Sequence, residues 1–341
     1  MVIRAARPSV AAAALHVLAL LLGVATVRAA EAQAPAKVVV GVLPFTSSGP
    51  VFLAADRGYF HDQGLDVELA FFQAAPPIAV ATASDEVTFG VTALTAAAYN
   101  LAAEGRLAVV AGQARERKGY TGNLILVTKA AYDRGLDRLD KLFDQPFGLT
   151  QMGSPSHYQV GQLADAQGIA TADLDVRAFQ TLPNLVAALK SGAVTWAIIA
   201  PPIATGLVES GAVVSLGPYS DHGSFQFGAV LASDETLRDR PETVRAFLRA
   251  YAKGLADYAE IVQHPESEPA REAAEVVGRV VYPDLAPEAA GRMVLGSAFY
   301  VDPSGQVDVE DVRRQVAWYH ANGMLNSLPD PAGFLRLDLL P

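Results

Sequence analysis

Two apolar, β-branched runs at residues 37–43 and Leu65–Phe71 are separated by one helical segment. Runs of this kind are typical of strands that are buried on both faces of a sheet. Pro50 suits the first turn of the intervening helix, Gly58 suits its end, and Gly64 supplies the turn into the second run. Strand, helix and parallel strand form a right-handed βαβ unit, so the chain is predicted to adopt an α/β fold.

A short polar loop joins the first strand to its helix, at the carboxyl end of the strand. The start of a helix carries free N–H groups and a partial positive charge, which favour a ligand in the crevice above the strand ends. A second hydroxyl-bearing helix start follows the strand predicted at residues 86–91 and should lie beside the first. Many α/β proteins contain such units without a ligand site, so these starts are candidates only. The candidates are Ser47, Ser48, Gly49, Thr92, Ala93 and Leu94.

The order of elements repeats in a second α/β run that begins at residue 147. Residues 84–89 (SDEVTF) parallel residues 191–196 (SGAVTW), and each segment leads through a strand into a helix. One unit used twice predicts two lobes, with residues 35–126 as the first part of lobe 1 and 127–224 as lobe 2. Residues 225–341 are predicted to be a return strand and C-terminal helices that complete lobe 1. Ligands favour interfaces between domains, so the cleft is the predicted site.

Lobe 2 has its own candidate loop, which runs from Gly153 and Ser154 to His157 and Tyr158. Hydroxyl groups and a proline stand at the start of a helix here, so backbone amides of both lobes could hold a polar or anionic ligand. His157 could donate to a carboxylate or stack on a ring, and a solvent-facing histidine is the alternative. Arg117 could reach an anion, although surface loops commonly carry such charges.

The N-terminus has the pattern of a secretory signal peptide over residues 1–32. Arg4 and Arg7 precede an apolar run at residues 10–27, and small residues with Ala-x-Ala spacing follow it. A membrane anchor is the alternative, but His16 and Gly23 interrupt the run. The chain contains no cysteine, which excludes a lipid-anchored cysteine, disulfides and thiolate sites. A periplasmic protein that loses its signal peptide is therefore expected.

Composition and motifs argue against several functional classes. The formal net charge of −10 disfavours a nucleic-acid partner. The histidines occur singly, and the sequence contains no H-E-x-x-H, G-x-S-x-G or P-loop motif. No catalytic residues, metal or cofactor are predicted. The histidines are His16, His61, His157, His222, His264 and His320.

The chain resembles the type II periplasmic solute-binding proteins of ABC importers, in the nitrate, sulfonate and taurine group that includes pyrimidine-precursor binders. The resemblance covers residues 35–325 and rests on an apolar helix that ends in A-x-x-x-G-Y-F at residues 54–60, followed by G-L-D-V-E at 64–68. The family tends to carry an aspartate in each lobe where this sequence has Thr88 and Thr195.

This resemblance implies a two-lobed fold with two crossover strands as a hinge, and ligand-lining loops in both lobes. It also implies a monomeric receptor that binds a small polar or anionic organic solute, such as a sulfonate, a carboxylate or a pyrimidine-like molecule. The partner would be an inner-membrane ABC permease with its cytoplasmic ATPase. By position, the loops supply Ser47, Ser48, Gly49, Gln73, Thr92, Ala93, Leu94, Gly153, Ser154, His157, Ala200, Pro201 and Pro202.

Enzymes on the same fold are the main alternative, either a pyrimidine-precursor synthase or a chorismate-dehydratase-like protein. The export signal argues against both, and the cysteine-rich motif of the synthase has no counterpart here. The ligand-sensing half of a transcription regulator is a third possibility, but it requires a helix-turn-helix in place of the signal peptide, and the sequence has none.

Overall fold

The computed structural model describes residues 34–341, so the predicted signal peptide lies outside the described residues. No helix within 34–341 is both long enough and apolar enough to cross a membrane. The strands are β1 (Ala36–Val42), β2 (Leu65–Phe71), β3 (Phe89–Ala93), β4 (Leu107–Gly112), β5 (Ala114–Glu116), β6 (Leu124–Thr128), β7 (Phe147–Leu149), β8 (Val176–Ala178), β9 (Trp196–Ile199), β10 (Val213–Pro218), β11 (Phe225–Gln226), β12 (Gly228–Ser233) and β13 (Tyr300–Val301).

Helices cover both sheets. They are α1 (Gly49–Asp56), α2 (Tyr59–Asp62), α3 (Ala75–Ala83), α4 (Ala96–Ala103), α5 (Lys129–Asp133), α6 (Pro155–Asp165), α7 (Leu182–Ser191), α8 (Ile203–Glu209), α9 (Asp234–Asp239), α10 (Pro241–Gln263), α11 (Glu268–Val281), α12 (Pro287–Leu295) and α13 (Val309–Ala321). The mixed α/β architecture predicted from the sequence is confirmed.

The first sheet has the strand order β2-β1-β3-β12-β4. β1 runs parallel to β2 and β3, and β12 lies antiparallel between β3 and β4. Val38, Val40 and Val42 of β1 share one face and are fully or almost fully buried. On the other face Lys37 is exposed, Val39 is half-buried and Gly41 is buried, so both faces are covered only toward the carboxyl end of the strand.

The second sheet has the order β10-β6-β9-β7-β8. β7 is parallel to β8 and β9, while β6 lies antiparallel between β9 and β10. In each sheet the first parallel strand, β1 or β7, lies between two parallel neighbours. An antiparallel strand, β12 or β6, follows next to one of these neighbours. Phe89 opens β3 and Trp196 opens β9 at corresponding positions, so the repeat seen in the sequence is a repeat of topology.

A small third sheet lies where the chain crosses between the lobes. It has the order β11-β5-β13, and both of its ladders are antiparallel. The first crossing spans residues 117–123, because Leu126 already pairs with Ala197 and Ser215 inside the second sheet. The first crossing was predicted near Leu126, which is a few residues later than its position in the structure. β6 is an uninterrupted apolar run, and nothing in its sequence marks which lobe it joins.

The C-terminal helix α13 contacts both lobes. The Tyr319 hydroxyl donates to the Ser154 carbonyl of lobe 2 at 3.1 Å, and the indole of Trp318 donates to Asp165 at 3.2 Å. In lobe 1, the Tyr99 hydroxyl donates to Gln315 at 2.9 Å. The Trp318 ring covers Gly161 so closely that a Cβ there would have no room. The C-terminal helices were predicted to complete lobe 1, and α13 contacts lobe 2 as well.

We expect Trp318→Ala to lower the free energy of unfolding by about 3–5 kcal/mol, since the change opens a cavity between α13 and α6 and removes one hydrogen bond. Urea unfolding followed by circular dichroism measures this loss. The matched control is Tyr132→Ala on lobe 2, because Tyr132 is an exposed aromatic residue. A Trp318→Ala protein as stable as the control would contradict the contact between α13 and lobe 2.

Candidate functional site

The cleft between the lobes contains two adjoining cavities. The outer cavity has a volume of about 790 Å³ and the inner one about 90 Å³. Leu43, Phe45 and Gln73 of lobe 1 and Leu182 of lobe 2 line both. The carboxyl ends of β1, β2, β7 and β9 all lead into this region, which is where ligands bind in open α/β sheets.

Apolar side chains dominate the outer cavity. Its polar members include three exposed charged residues, Lys190, Glu209 and Asp284, and the half-buried Tyr282. The apolar lining comes from lobe 1, from lobe 2, and from the end of α11, the turn after it and α12. It consists of Leu43, Pro44, Phe45, Phe72, Leu182, Pro183, Val186, Pro202, Ile203, Leu207, Val280, Val281, Pro283, Leu285 and Met293.

The inner cavity adds uncharged polar groups to an apolar wall. The wall includes Ala93 and Phe227 from lobe 1 and Ile198 from lobe 2. The Ser154 and Ser156 hydroxyl groups lie 3.1 Å apart and hydrogen bond to each other. Each polar side chain here is an amide or a hydroxyl group: Gln73, Asn123, Thr150, Ser154, Ser156 and Gln159.

A buried carboxyl group supports Asn123 and Gln159 from the hinge. Glu116 Oε1 accepts hydrogen bonds from the Asn123 backbone N–H at 2.9 Å and from Gln159 Nε2 at 3.3 Å, while Asn123 Nδ2 donates to Gln159 Oε1 at 3.3 Å. Glu116 Oε2 is buried and has no partner within the described residues. Burial raises the pKa of Glu116 to about 8, so the carboxyl group is mostly protonated at neutral pH.

The two predicted binding loops contact each other directly. The Ala96 N–H at the start of α4 donates to the Gly153 carbonyl of lobe 2 at 2.9 Å. Gly153 has a φ of 73° and lies so close to Ala96 that an added Cβ would stand 2.6 Å from the Ala96 Cβ. This contact closes one side of the cleft.

His157 holds this contact in place. Its Nδ1 accepts from the Gly153 N–H at 3.1 Å, and its ring meets Trp318 edge-on with the ring centroids 5.6 Å apart. An accepting Nδ1 assigns the ring proton to Nε2. Burial lowers the pKa of His157 to about 4, so the ring is neutral above that pH. His157 was predicted to contact the ligand, but it is buried behind the loop and lines neither cavity.

Five of the sequence-predicted residues lie on the cleft: Gln73, Ala93, Ser154, Ala200 and Pro202. They come from the ends of β2, β3 and β9 and from the loop after β7. Their role in binding stays a prediction.

The predicted loop at Ser47, Ser48 and Gly49 does not line the cleft. These residues form the buried start of α1, and Gly49 packs directly against the Tyr258 ring. The amide of Ser48 donates to the Phe45 carbonyl, and that of Gly49 donates to the Thr46 carbonyl. The residues directly after β1 line the cleft instead, and these are Leu43, Pro44 and Phe45.

The remaining candidates line neither cavity. Thr92 and Leu94 are buried beside the return strand, and the Leu94 N–H donates to the Phe227 carbonyl. Arg117 places its guanidinium 4.4 Å from the centre of the Tyr300 ring. Gly153 turns toward Ala96, Tyr158 packs among Phe225, Trp318 and Tyr319, and Pro201 is buried beside the cleft-lining Pro202.

Sequence reasoning missed the hinge side of the inner cavity. Asn123 lies at the end of the first crossing, and Gln159 directly follows the predicted loop, so neither has a local signal. Leu43 and Phe45 could have been found, because they flank the Pro44 that ends the first strand. Within the described residues, no group of three or more His, Cys, Asp or Glu side chains could hold a metal ion.

Residues 46–268 match the model of the family described as NMT1/THI5 like, which is more than half of the chain. The chain belongs to the NMT1/THI5-like family. No curated protein sequence matches it significantly. The suspected family is therefore confirmed.

Solved structures place this NMT1/THI5-like chain in the periplasmic binding protein fold. The alkanesulfonate-binding protein SsuA from Xanthomonas axonopodis pv. citri, bound to MOPS, has a TM-score of 0.68 and 16% identity over 88% of this chain and 98% of its own. The periplasmic nitrate-binding protein NrtA from Synechocystis PCC 6803 has a TM-score of 0.67 and 15% identity, covering 89% and 86%. The desulfurization enzyme DSZB has a TM-score of 0.58 and 12% identity, covering 89% and 97%.

The buried carboxyl group predicts a specific pH dependence. Because the folded-state pKa of Glu116 is raised from 4.5 to about 8, its contribution is complete below pH 4.5 and is lost as the pH rises through 8. The free energy of unfolding of the wild type should therefore fall by about 4 kcal/mol between pH 5 and 9. Glu116→Gln imitates the protonated group and cannot ionise, so this decrease should be absent in the variant.

Denaturant unfolding across this pH range measures the effect, with Glu68→Gln at an exposed position on β2 as the control. Parallel pH profiles for the wild type and Glu116→Gln would show that the carboxyl group is not protonated in the folded protein.

Proposed function

We propose that this protein is the substrate-binding component of an ABC-type importer, which closes its two lobes on one small organic solute. The family and the fold support this role. The observation that carries the proposal is the cleft itself, because both lobes line its two adjoining cavities and the hinge residue Asn123 lines the inner one. A solute that bridges the lobes favours the closed arrangement by its differential affinity, and no bond needs to be made or broken.

The proposed partners and location follow from the same role. We infer that the protein is exported to the periplasm after its signal peptide is cleaved, acts as a monomer, and delivers the solute to an inner-membrane permease with a cytoplasmic ATPase. The solute classes expected from the sequence are sulfonates, carboxylates and pyrimidine-like molecules.

An enzyme on this fold is the competing function, and DSZB has a similar fold. The composition of the cleft favours a receptor. Its serine hydroxyl groups hydrogen bond to each other, and the nearest histidine is buried behind the loop with its Nδ1 engaged by Gly153. A serine hydroxyl group acts as a nucleophile only when a base lies within reach of it. The described residues that line the inner cavity, where the serines lie, include no histidine and no charged side chain.

A thermal-shift screen of sulfonates, aromatic and aliphatic carboxylates, nitrate and pyrimidines tests the receptor role. A ligand at a hundredfold excess over its Kd stabilises the folded protein by about 2.7 kcal/mol, which appears as a raised Tm. Chromatography of the incubated ligand completes the test. Recovery of the unchanged compound supports a receptor, and conversion into a product would overturn that role.

Ser156→Trp should abolish binding of any compound found in the screen, because the indole would fill the inner cavity of about 90 Å³. Ser156 is half-buried in the first turn of α6, so the variant is expected to fold. Isothermal titration calorimetry measures the loss, which we expect to exceed 100-fold in Kd. The control is Ser84→Trp, at an exposed position after α3. Unchanged affinity in Ser156→Trp would mean that the solute binds elsewhere.

A further inference from the structure

Helix starts are the usual place for an anion in such folds, yet those facing this cleft offer few N–H groups. α6 begins at Pro155, α7 has Pro183 as its second residue, and Pro202 directly precedes α8. All three prolines line the cavities. Proline has no N–H group, and its ring presents apolar atoms instead. The lobe 2 side of the cleft is therefore poor in the donors that hold phosphate or sulfonate groups.

Several of the remaining amides around the cleft already have partners. The N–H of Ser154 donates to the Gln151 carbonyl, and that of His157 donates to the Ser154 carbonyl. On the lobe 1 side, the Ala96 N–H is used by Gly153. α3 has Pro76 and Pro77 in its first turn, so two of its first three residues have no N–H group.

Charge at the cleft does not favour an anion either. Among the described residues that line it, Lys190 is the one cationic side chain, and it shares the exposed rim with Glu209 and Asp284. Arg115 lies at the hinge but donates to Gln226 and to the Gln306 carbonyl. Arg117 lies over the Tyr300 ring. A buried anion without a cation or several donors carries a large desolvation cost.

The carboxyl group behind the inner cavity also disfavours an anionic ligand. Burial raises the pKa of Glu116 to about 8. Protonated, the group is neutral, and deprotonated, it is negative. Neither form adds positive charge behind Asn123 and Gln159.

The apolar volume, in contrast, suits a sizeable body. Phe45 and Phe72 of lobe 1 face Val186 and Ile203 of lobe 2 across the outer cavity of about 790 Å³. A cavity of this size accommodates an organic molecule of several rings, and its apolar walls favour burial of an apolar body.

We infer that the cleft takes an uncharged organic solute, with an apolar ring-containing body in the outer cavity and an amide, carbonyl or hydroxyl head at the inner one. The assignment rests on the proposed receptor function, and it removes free sulfonates and carboxylates from the expected solute classes. Gln73, Asn123 and Ser156 would hydrogen bond to the head, and Phe45, Phe72 and Val186 would cover the body.

Two fluorescent probes with the same ring skeleton test the solute class. N-phenyl-1-naphthylamine is uncharged, and 8-anilino-1-naphthalenesulfonate carries an added sulfonate. Both become brighter in an apolar site, so direct titration yields their Kd values. We expect one saturable site for the uncharged probe, with a Kd at least tenfold lower than that of the sulfonate.

Variants locate the probe and test the charge argument. Val186→Trp fills the outer cavity and should weaken the uncharged probe at least tenfold, while Val80→Trp, at an exposed position on α3, should leave it unchanged. Gln73→Arg introduces a cation at the junction of the cavities and should tighten the sulfonate at least tenfold, whereas the uncharged Gln73→Met should not.

The outcomes separate the solute class from the receptor function. Tighter binding of the sulfonate by the wild type, lost in Val186→Trp, would overturn the uncharged class and leave the cleft as the binding site. Probe binding that Val186→Trp does not weaken, or absence of saturable binding of the uncharged probe, would also overturn it. The solute screen with Ser156→Trp then decides the receptor function independently.

Discussion

The hydrogen bonds of Glu116 hold the hinge against the second lobe. Its carboxyl group lies at the end of β5, accepts from Asn123 at the entry to β6, and accepts from Gln159 on α6. A buried carboxylate with no cationic partner is costly, whereas the protonated acid needs only hydrogen bonds, which explains the raised pKa. Since Asn123 and Gln159 also form the floor of the inner cavity, the hinge and the cleft share one set of contacts.

A second set of contacts couples the lobes through the loop after β7, which contains Gly153 and leads into His157. Trp318 packs edge-on against His157, His157 accepts from Gly153, and Gly153 accepts from Ala96 of the other lobe. The C-terminal helix α13 thereby supports the contact between the lobes, because it packs against both of them. Any movement of the lobes about the hinge must rearrange this chain of contacts or carry α13 with it, which ties the last helix to the proposed closure.

The sequence predicts the fold well where the signal is local. β2 has the predicted limits, and the parallel between residues 84–89 and 191–196 identifies β3 and β9 as equivalent strands. The site is predicted less well, because long-range packing decides which loop residues reach the cleft. His157 is buried by Trp318, which lies far along the chain, and the start of α1 is covered by Tyr258. No periodicity or local motif reports such partners.

The central claim is that one unaltered solute binds between the lobes. A crystal structure of the protein saturated with the tightest ligand from the screen tests this directly. The account predicts density for one intact molecule that contacts Phe45 or Gln73 on lobe 1 and Ser156 or Leu182 on lobe 2. Density outside the cleft, or density for a chemically converted product, would contradict it.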